Sequence, residues 1–151
     1  MKKNNKILIV DDEVLILDKV SKLLSFSFDN ILTAENGKQA LEIINLNDDL
    51  CCVVTDINMP VMDGIELIKL VRENNNNIPI IVFTSHGDDE LMKQAIKYGV
   101  FDFIDKPLFL NLSESISRGV EEGFKISNGA PVLSEDKAFS EYQKLLNNLS
   151  H

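Results

Sequence analysis

The sequence predicts an α/β domain of the doubly wound kind, with a five-stranded parallel sheet covered by helices on both faces. Two observations lead to this prediction. Five short apolar runs occur along the chain, and a segment with helical spacing of its apolar residues follows each run. The runs of the first, third and fourth predicted strands are almost wholly apolar, which is typical of central strands buried on both faces.

The predicted elements alternate along the chain from the N-terminus. Strands are predicted at 6–10, 30–34, 51–56, 78–84 and 100–104. Helices are predicted at 13–27, from Asn36-Gly37 with Ile44 among its apolar residues, at 65–73, from Asp88 or Asp89 to Gly99, and from Asn111 or Ser113 with Val120 among its apolar residues. The proposed starts carry side chains that cap helices, and a glycine ends the fourth helix.

The pattern changes after Phe124 and divides the chain. We predict a main domain over residues 1–126, a linker over 127–133 that begins with the sequence SNGAP, and a C-terminal helix over 134–151. The apolar residues of that helix repeat as in a coiled-coil seam: Phe139, Tyr142, Leu146 and Leu149. The stripe is too short to decide between packing back on the domain and pairing with another chain.

Composition excludes several classes of function. The 151 residues carry a net charge of −9, which argues against a nucleic-acid-binding surface on this chain. No apolar run approaches the roughly 20 residues of a membrane-spanning helix. The two cysteines, Cys51 and Cys52, are adjacent in a predicted strand and point to opposite faces, so we expect neither a disulfide nor a metal pair. These features predict a cytoplasmic protein.

Polar residues end four of the predicted strands. Asp11-Asp12 follow the first strand, Asp56 ends the third, Thr84-Ser85 end the fourth, and Lys106 follows the fifth. Each has a simpler explanation alone, because an acidic pair caps helices and a lysine is usually solvated. The carboxyl ends of parallel strands share one edge, however, and ligands bind there in sheets of this kind. We therefore predict one site that contains three carboxylates, a hydroxyl and an ammonium.

Three neighbouring carboxylates repel one another unless a cation lies between them. Oxygen ligands alone suit Mg²⁺, which keeps several waters and often a substrate phosphate. Aspartate is a known nucleophile toward phosphorus. The predicted site can therefore move a phosphoryl group onto one of its own aspartates, whereas Asp63-Gly64 has the ordinary role of a turn that starts the third helix.

Four motifs together resemble the receiver domain of two-component response regulators: ILIVDDE, VVTDINMPVMDGIEL, IPIIVFTSHG and FDFIDKP. The resemblance covers about residues 5 to 125 and implies a flavodoxin-like (βα)5 topology. It implies that Asp56 is the phosphoacceptor. It also implies that Asp11, Asp12, Asp56 and the backbone carbonyl of Asn58 bind Mg²⁺, with Asp11 acting mainly through water.

The resemblance assigns roles to the remaining site residues. Lys106 pairs with a phosphoryl oxygen, or with Asp56 before phosphorylation, and the bond to Pro107 is expected to be cis. Thr84 turns toward the phosphoryl group, and Phe103 is the switch aromatic, which we expect to favour its buried position because it has no hydroxyl.

Two further residues border this site in the resemblance. The side chains of Asn58 and His86 help or hinder the water that hydrolyses the aspartyl-phosphate. His86 has an alternative interpretation as an exposed loop residue without a role.

The expected function is that of a signalling receiver, which catalyses only its own phosphorylation and dephosphorylation. A histidine kinase or histidine phosphotransfer protein donates the phosphoryl group, and the surface of the fourth helix, fifth strand and fifth helix changes for a downstream protein or domain. That surface or the C-terminal helix is a possible homodimer contact. Two alternatives remain: a receiver piece of a longer protein whose output domain is missing here, and an aspartate-nucleophile phosphatase.

Overall fold

The computed structural model describes residues 3–85 and 89–127. The five strands are β1 (Lys3–Val10), β2 (Phe28–Ala34), β3 (Leu50–Thr55), β4 (Ile80–Thr84) and β5 (Asp102–Asp105). The five helices are α1 (Val14–Leu24), α2 (Gly37–Leu46), α3 (Gly64–Glu73), α4 (Asp89–Lys97) and α5 (Phe109–Ser127). The strands pair in parallel in the order β2-β1-β3-β4-β5.

The sheet is covered on both faces, as the sequence predicts. Alternate side chains of the central strands enter two separate apolar cores, because neighbouring strand residues point to opposite faces. One core joins α1 and α5 to the sheet, and the other joins α2, α3 and α4 to it. The doubly wound, flavodoxin-like class is thereby confirmed.

Strand register brings the carboxyl ends of the central strands level with one another. Val10 of β1 lies beside Thr55 of β3, and Thr55 lies beside Val82 of β4. Thr84 of β4 lies beside Asp105 of β5. The residues that follow β1, β3 and β5 therefore emerge along the same edge of the sheet.

Side-chain caps start two of the helices that begin at this edge. The Asn36 side chain accepts a hydrogen bond from the Gln39 amide at 2.9 Å, and the Asp63 side chain accepts one from the Glu66 amide at 2.9 Å. Both caps stand immediately before a glycine, at the positions that the sequence predicts. Asp63-Gly64 is thus a helix start, as expected.

The start of α5 and the end of α1 differ from the predictions. α5 begins at Phe109, ahead of Asn111 and Ser113, because the chain turns into the helix directly after Pro107. α1 ends at Leu24, well before residue 27, because the following residues close a turn in which the Ser27 amide donates to the Leu24 carbonyl at 2.9 Å.

The predicted helix at 134–151 lies outside the described residues, as does the predicted linker beyond Ser127. Within the described residues, no helix is both long enough and apolar enough to cross a membrane.

Candidate functional site

The candidate site is an acidic pocket at the carboxyl edge of the sheet. Asp56 follows β3 and is 7% exposed, and Asp11 follows β1 and is 2% exposed. The adjacent Asp12 is exposed. One carboxylate oxygen from each of the three lies within 4.8 Å of the others. The structure therefore brings together the three carboxylates that the sequence predicts at one site.

Lys106 completes the pocket from the end of β5. Its Nζ lies 2.7 Å from Asp56 Oδ2 and 2.7 Å from Asp11 Oδ2, and its side chain is 8% exposed. Burial acts to lower the pKa of Lys106, but the hydrogen bonds to Asp11 and Asp56 outweigh burial, so the pKa lies above its ordinary value. The ammonium is therefore held in its charged form between two carboxylates.

Backbone amides orient both buried carboxylates. The Ile57 amide donates to Asp56 Oδ1 at 2.7 Å, and the Glu13 amide donates to Asp11 Oδ1 at 2.9 Å. Each carboxylate thus has one oxygen bound to the backbone and the other bound to Lys106. Burial still raises the pKa of Asp11, because the hydrogen bonds from Lys106 and the Glu13 amide only partly offset its desolvation.

The loop after Asp56 is fixed by glycine. The Gly64 amide donates to the Ile57 carbonyl at 2.8 Å, which closes the loop that contains Asn58. A Cβ at position 64 would lie 2.1 Å from the Asp56 carbonyl oxygen, a distance that no side chain can accommodate. Glycine is therefore required where α3 begins beside the phosphoacceptor candidate.

The remaining predicted site residues have different environments. Thr84 ends β4 and is buried, and its carbonyl accepts a hydrogen bond from the Lys106 amide at 3.1 Å. Phe103 is buried within β5, whereas Asn58 is exposed. The peptide bond between Lys106 and Pro107 is cis, as the resemblance implies. His86 lies outside the described residues.

The sequence prediction missed one acidic neighbour of Lys106. A carboxylate oxygen of Glu13 lies 3.8 Å from Lys106 Nζ, although its side chain is 62% exposed. Glu13 also occupies the N-cap position of α1 without a side-chain capping bond. Its place directly after Asp11-Asp12 was the available signal.

The donor set fits a hard divalent cation. Asp11, Asp12 and Asp56 offer only oxygen atoms, at separations that one small ion can bridge. A bound divalent cation would relieve the mutual repulsion of these carboxylates. The coarse prediction of a Mg²⁺-type site is thus consistent with the donor atoms, and the individual ligand assignments stay predictions.

The fold and this pocket define a receiver-type domain. The family model described as the response regulator receiver domain matches residues 7–116. The chain therefore belongs to the response regulator receiver family of two-component systems.

Similar proteins differ in how much of their length this chain spans. Chemotaxis protein CheY1 of Helicobacter pylori strain J99 is 38% identical over 105 residues, which is 68% of this chain and 85% of that protein. The cyclic di-GMP phosphodiesterase of Thermotoga maritima is 32% identical over 106 residues, which is 70% of this chain but only 28% of that protein.

A solved structure has the same fold. The crystal structure of the CheX–CheY–BeF3–Mg complex from Borrelia burgdorferi includes a chain that matches with a TM-score of 0.70 and 29% identity. The match covers 76% of this chain and 87% of that one.

Proposed function

We propose that this chain accepts a phosphoryl group on Asp56 from the phosphohistidine of a histidine kinase or histidine phosphotransfer protein. The observation that carries the proposal is the position of the Asp56 carboxylate, which is buried at the end of β3 with Lys106 Nζ at 2.7 Å and two further aspartates beside it. A buried carboxylate without such partners is costly.

The reaction forms an O–P bond and breaks an N–P bond. A carboxylate oxygen of Asp56 attacks phosphorus in line, and the donor imidazole leaves and is protonated by solvent. Lys106 holds a phosphoryl oxygen in place of the Asp56 carboxylate. Asp11, Asp12, Asp56 and the Asn58 carbonyl would hold Mg²⁺, which would supply positive charge to the phosphoryl oxygens.

Exposed apolar residues around the pocket support a protein as the phosphoryl donor. Val14 and Leu15 begin α1, Val61 lies in the loop after β3, and Leu108 and Leu110 follow Pro107. Leu15 is 75% exposed and Val61 is 76% exposed. Apolar side chains that surround a charged site are typical of a surface that binds another protein.

Phosphorylation adds charge at the end of β3, and we propose that the neighbouring strands relay it. Thr84 turns toward the phosphoryl group, Phe103 moves into the vacated space, and the surface of α4, β5 and α5 changes for a downstream protein or domain. Asn58 and His86 set the lifetime of the phosphoryl group. The chain is thus a signalling receiver whose only catalysis is on itself.

We propose that the receiver acts on a downstream output, which is a separate protein or an attached domain. The relatives include one that this chain nearly spans and one of which it spans 28%, so both a separate partner and an attached output domain fit the family. A homodimer through α4, β5 and α5 or through residues 134–151 stays a prediction. Both cysteines are free, which agrees with the cytoplasmic location we propose.

Acetyl phosphate with Mg²⁺ tests the phosphoacceptor. We expect the intact mass of the wild type to rise by one phosphoryl group and that of Asp56→Asn to stay unchanged. Asp63→Asn is the matched control, because Asp63 lies in the same loop and asparagine caps a helix equally well. Equal modification of the wild type and Asp56→Asn would exclude Asp56.

Lys106→Ala tests the relay. We expect this variant to lose the phosphorylation-induced change in amide exchange of α4 and β5, because Lys106 connects the phosphoryl group to the end of β5. An unchanged response in Lys106→Ala would contradict the proposed coupling, even if Asp56 is the acceptor.

A further inference from the structure

Arg72, near the end of α3, makes contacts that the proposed function does not use. Its Nε donates to the Tyr98 carbonyl at 2.7 Å, and Nη2 donates to the Gly99 carbonyl at 3.1 Å. Its Nη1 donates to the carbonyls of Asn76 at 2.9 Å and Ile78 at 2.8 Å. One guanidinium therefore joins the end of α4 to the loop that leads into β4.

These contacts hold the turn that follows α4. The amides of Tyr98, Gly99 and Val100 donate to carbonyls of the last turn of α4, so the helix end is closed by its own backbone. α4 ends at Lys97, and Gly99 takes the left-handed conformation (φ 70°) that commonly follows a helix. The carbonyls of Tyr98 and Gly99 then point to a cation, which also suits the negative end of the helix dipole. Arg72 thus ties the turn after α4 to the end of α3.

The rest of α4 is attached unevenly. Its buried residues are Ala95 and Ile96, both in its C-terminal half, next to the turn that Arg72 contacts. Leu91 and Met92 of the N-terminal half are only partly buried, and Asp89 and Glu90 are exposed. The N-terminal half follows the chain segment after Thr84, at the edge of the sheet that carries Asp56. The firmly held end of α4 is thus the end remote from the pocket.

We propose that Arg72 is a positioning residue that holds the C-terminal end of α4 as a fixed pivot. A change at Thr84 then tilts the N-terminal half of α4 and leaves its C-terminal end in place. The inference rests on the proposed function in one respect, because phosphorylation of Asp56 supplies the change at Thr84. The anchoring by Arg72 holds in the unphosphorylated protein as well.

Amide hydrogen exchange of the full chain tests the anchor without any phosphoryl group. We expect Arg72→Gln to speed exchange at Tyr98, Gly99 and Val100 by about tenfold or more, because the carbonyls that fix this turn lose a charged donor. Arg118→Gln is the matched control, since Arg118 is the chain's other arginine and contacts the Asp102 carboxylate of β5 instead of backbone carbonyls. Should Arg72→Gln unfold the domain, Arg72→Lys keeps the charge but cannot span both segments, and the same loosening is expected.

Beryllofluoride with Mg²⁺, a mimic of the phosphoryl group, tests the pivot. In the wild type we expect the exchange of α4 to change in its N-terminal half and to stay unchanged at Tyr98 to Val100. In Arg72→Gln the change extends through the whole helix.

Three results would overturn the inference. Exchange at Tyr98 to Val100 that is equal in the wild type and both Arg72 variants would refute the anchor, and a wild-type change spread evenly along α4 would refute the pivot. If beryllofluoride changes no exchange in the wild type, even around Asp56, the proposed function fails and the pivot fails with it. If beryllofluoride changes exchange around Asp56 in the wild type while the Arg72 variants leave exchange at Tyr98 to Val100 unchanged, the proposed function stands and only the anchor fails.

Discussion

Lys106 and Arg72 are two cations held in opposite ways at opposite edges of the sheet. Lys106 lies between the carboxylates of Asp11 and Asp56, and its hydrogen bonds to them outweigh burial and raise its pKa. Among the described residues, Arg72 donates only to backbone carbonyls, and burial lowers its pKa to about 10. Carboxylates neutralise the charge of Lys106, whereas the dipoles of backbone carbonyls stabilise the charge of Arg72.

The difference separates an exchangeable contact from a permanent one. Under the proposed function, the Asp56 carboxylate binds a metal ion or gains a phosphoryl group, and Lys106 then acquires a new partner. Backbone carbonyls do not titrate and are not phosphorylated, so the proposed anchor predicts that Arg72 keeps its partners when Asp56 is phosphorylated. The acidic pocket thus contains groups whose charge can change, whereas the partners of Arg72 are carbonyls whose charge cannot.

Replacing Lys106 is expected to have the largest effect on stability. Without Mg²⁺, Lys106→Ala should lower the free energy of unfolding by about 3 kcal/mol, because two buried carboxylates lose their counter-ion. Urea denaturation measures this loss, and Lys97→Ala, at an exposed position of α4, is the control.

The response to Mg²⁺ sharpens this prediction. Mg²⁺ should stabilise Lys106→Ala more than the wild type, because the ion relieves the repulsion that the variant exposes. A loss below about 1 kcal/mol, or equal stabilisation of both proteins by Mg²⁺, would show that Lys106 is not the counter-ion of this pocket.

Replacing Arg72 should have an intermediate effect. We expect Arg72→Gln to lower the free energy of unfolding by about 2 kcal/mol, because hydrogen bonds from a charged donor are lost while the carbonyls stay partly buried. Urea denaturation with and without Mg²⁺ should give the same loss, since Arg72 is not part of the acidic pocket. A loss that depends on Mg²⁺ would remove the distinction between the two cations.

The ion pair of Arg118 with Asp102 should have the smallest effect. Its Nη2 lies 3.0 Å from Asp102 Oδ2, but the Arg118 side chain is 60% exposed. Arg118→Gln should therefore cost about 0.5 kcal/mol or less, and added salt should reduce the difference from the wild type. A cost as large as that of Arg72→Gln would mean that burial does not explain the difference between the two arginines.

The pocket was predictable because its geometry follows from strand order. Asp11, Asp56 and Lys106 each follow an apolar strand, and parallel strands bring their carboxyl ends to one edge whatever the loops do. The strand pattern predicts that Asp56 and Lys106, fifty positions apart in the sequence, lie at one edge, and the family resemblance implies their contact.

The role of Arg72 was not predictable in the same way. Its partners are carbonyls, which every residue carries, so no residue type at positions 76, 78, 98 or 99 indicates the contact. The start of α5 also could not be predicted from the pattern of apolar residues. Leu108 and Leu110 are exposed and break the apolar periodicity, and the turn at Pro107 sets the boundary instead.

Chemical trapping of the phosphorylated residue tests the central claim most directly. The wild-type protein is treated with acetyl phosphate and Mg²⁺ and then with sodium borohydride, which reduces an aspartyl-phosphate to homoserine. Peptide mass spectrometry locates the product. We predict homoserine at position 56 and at no other aspartate. Homoserine at Asp11 or Asp12, or none at all, would contradict the claim that Asp56 is the phosphoacceptor.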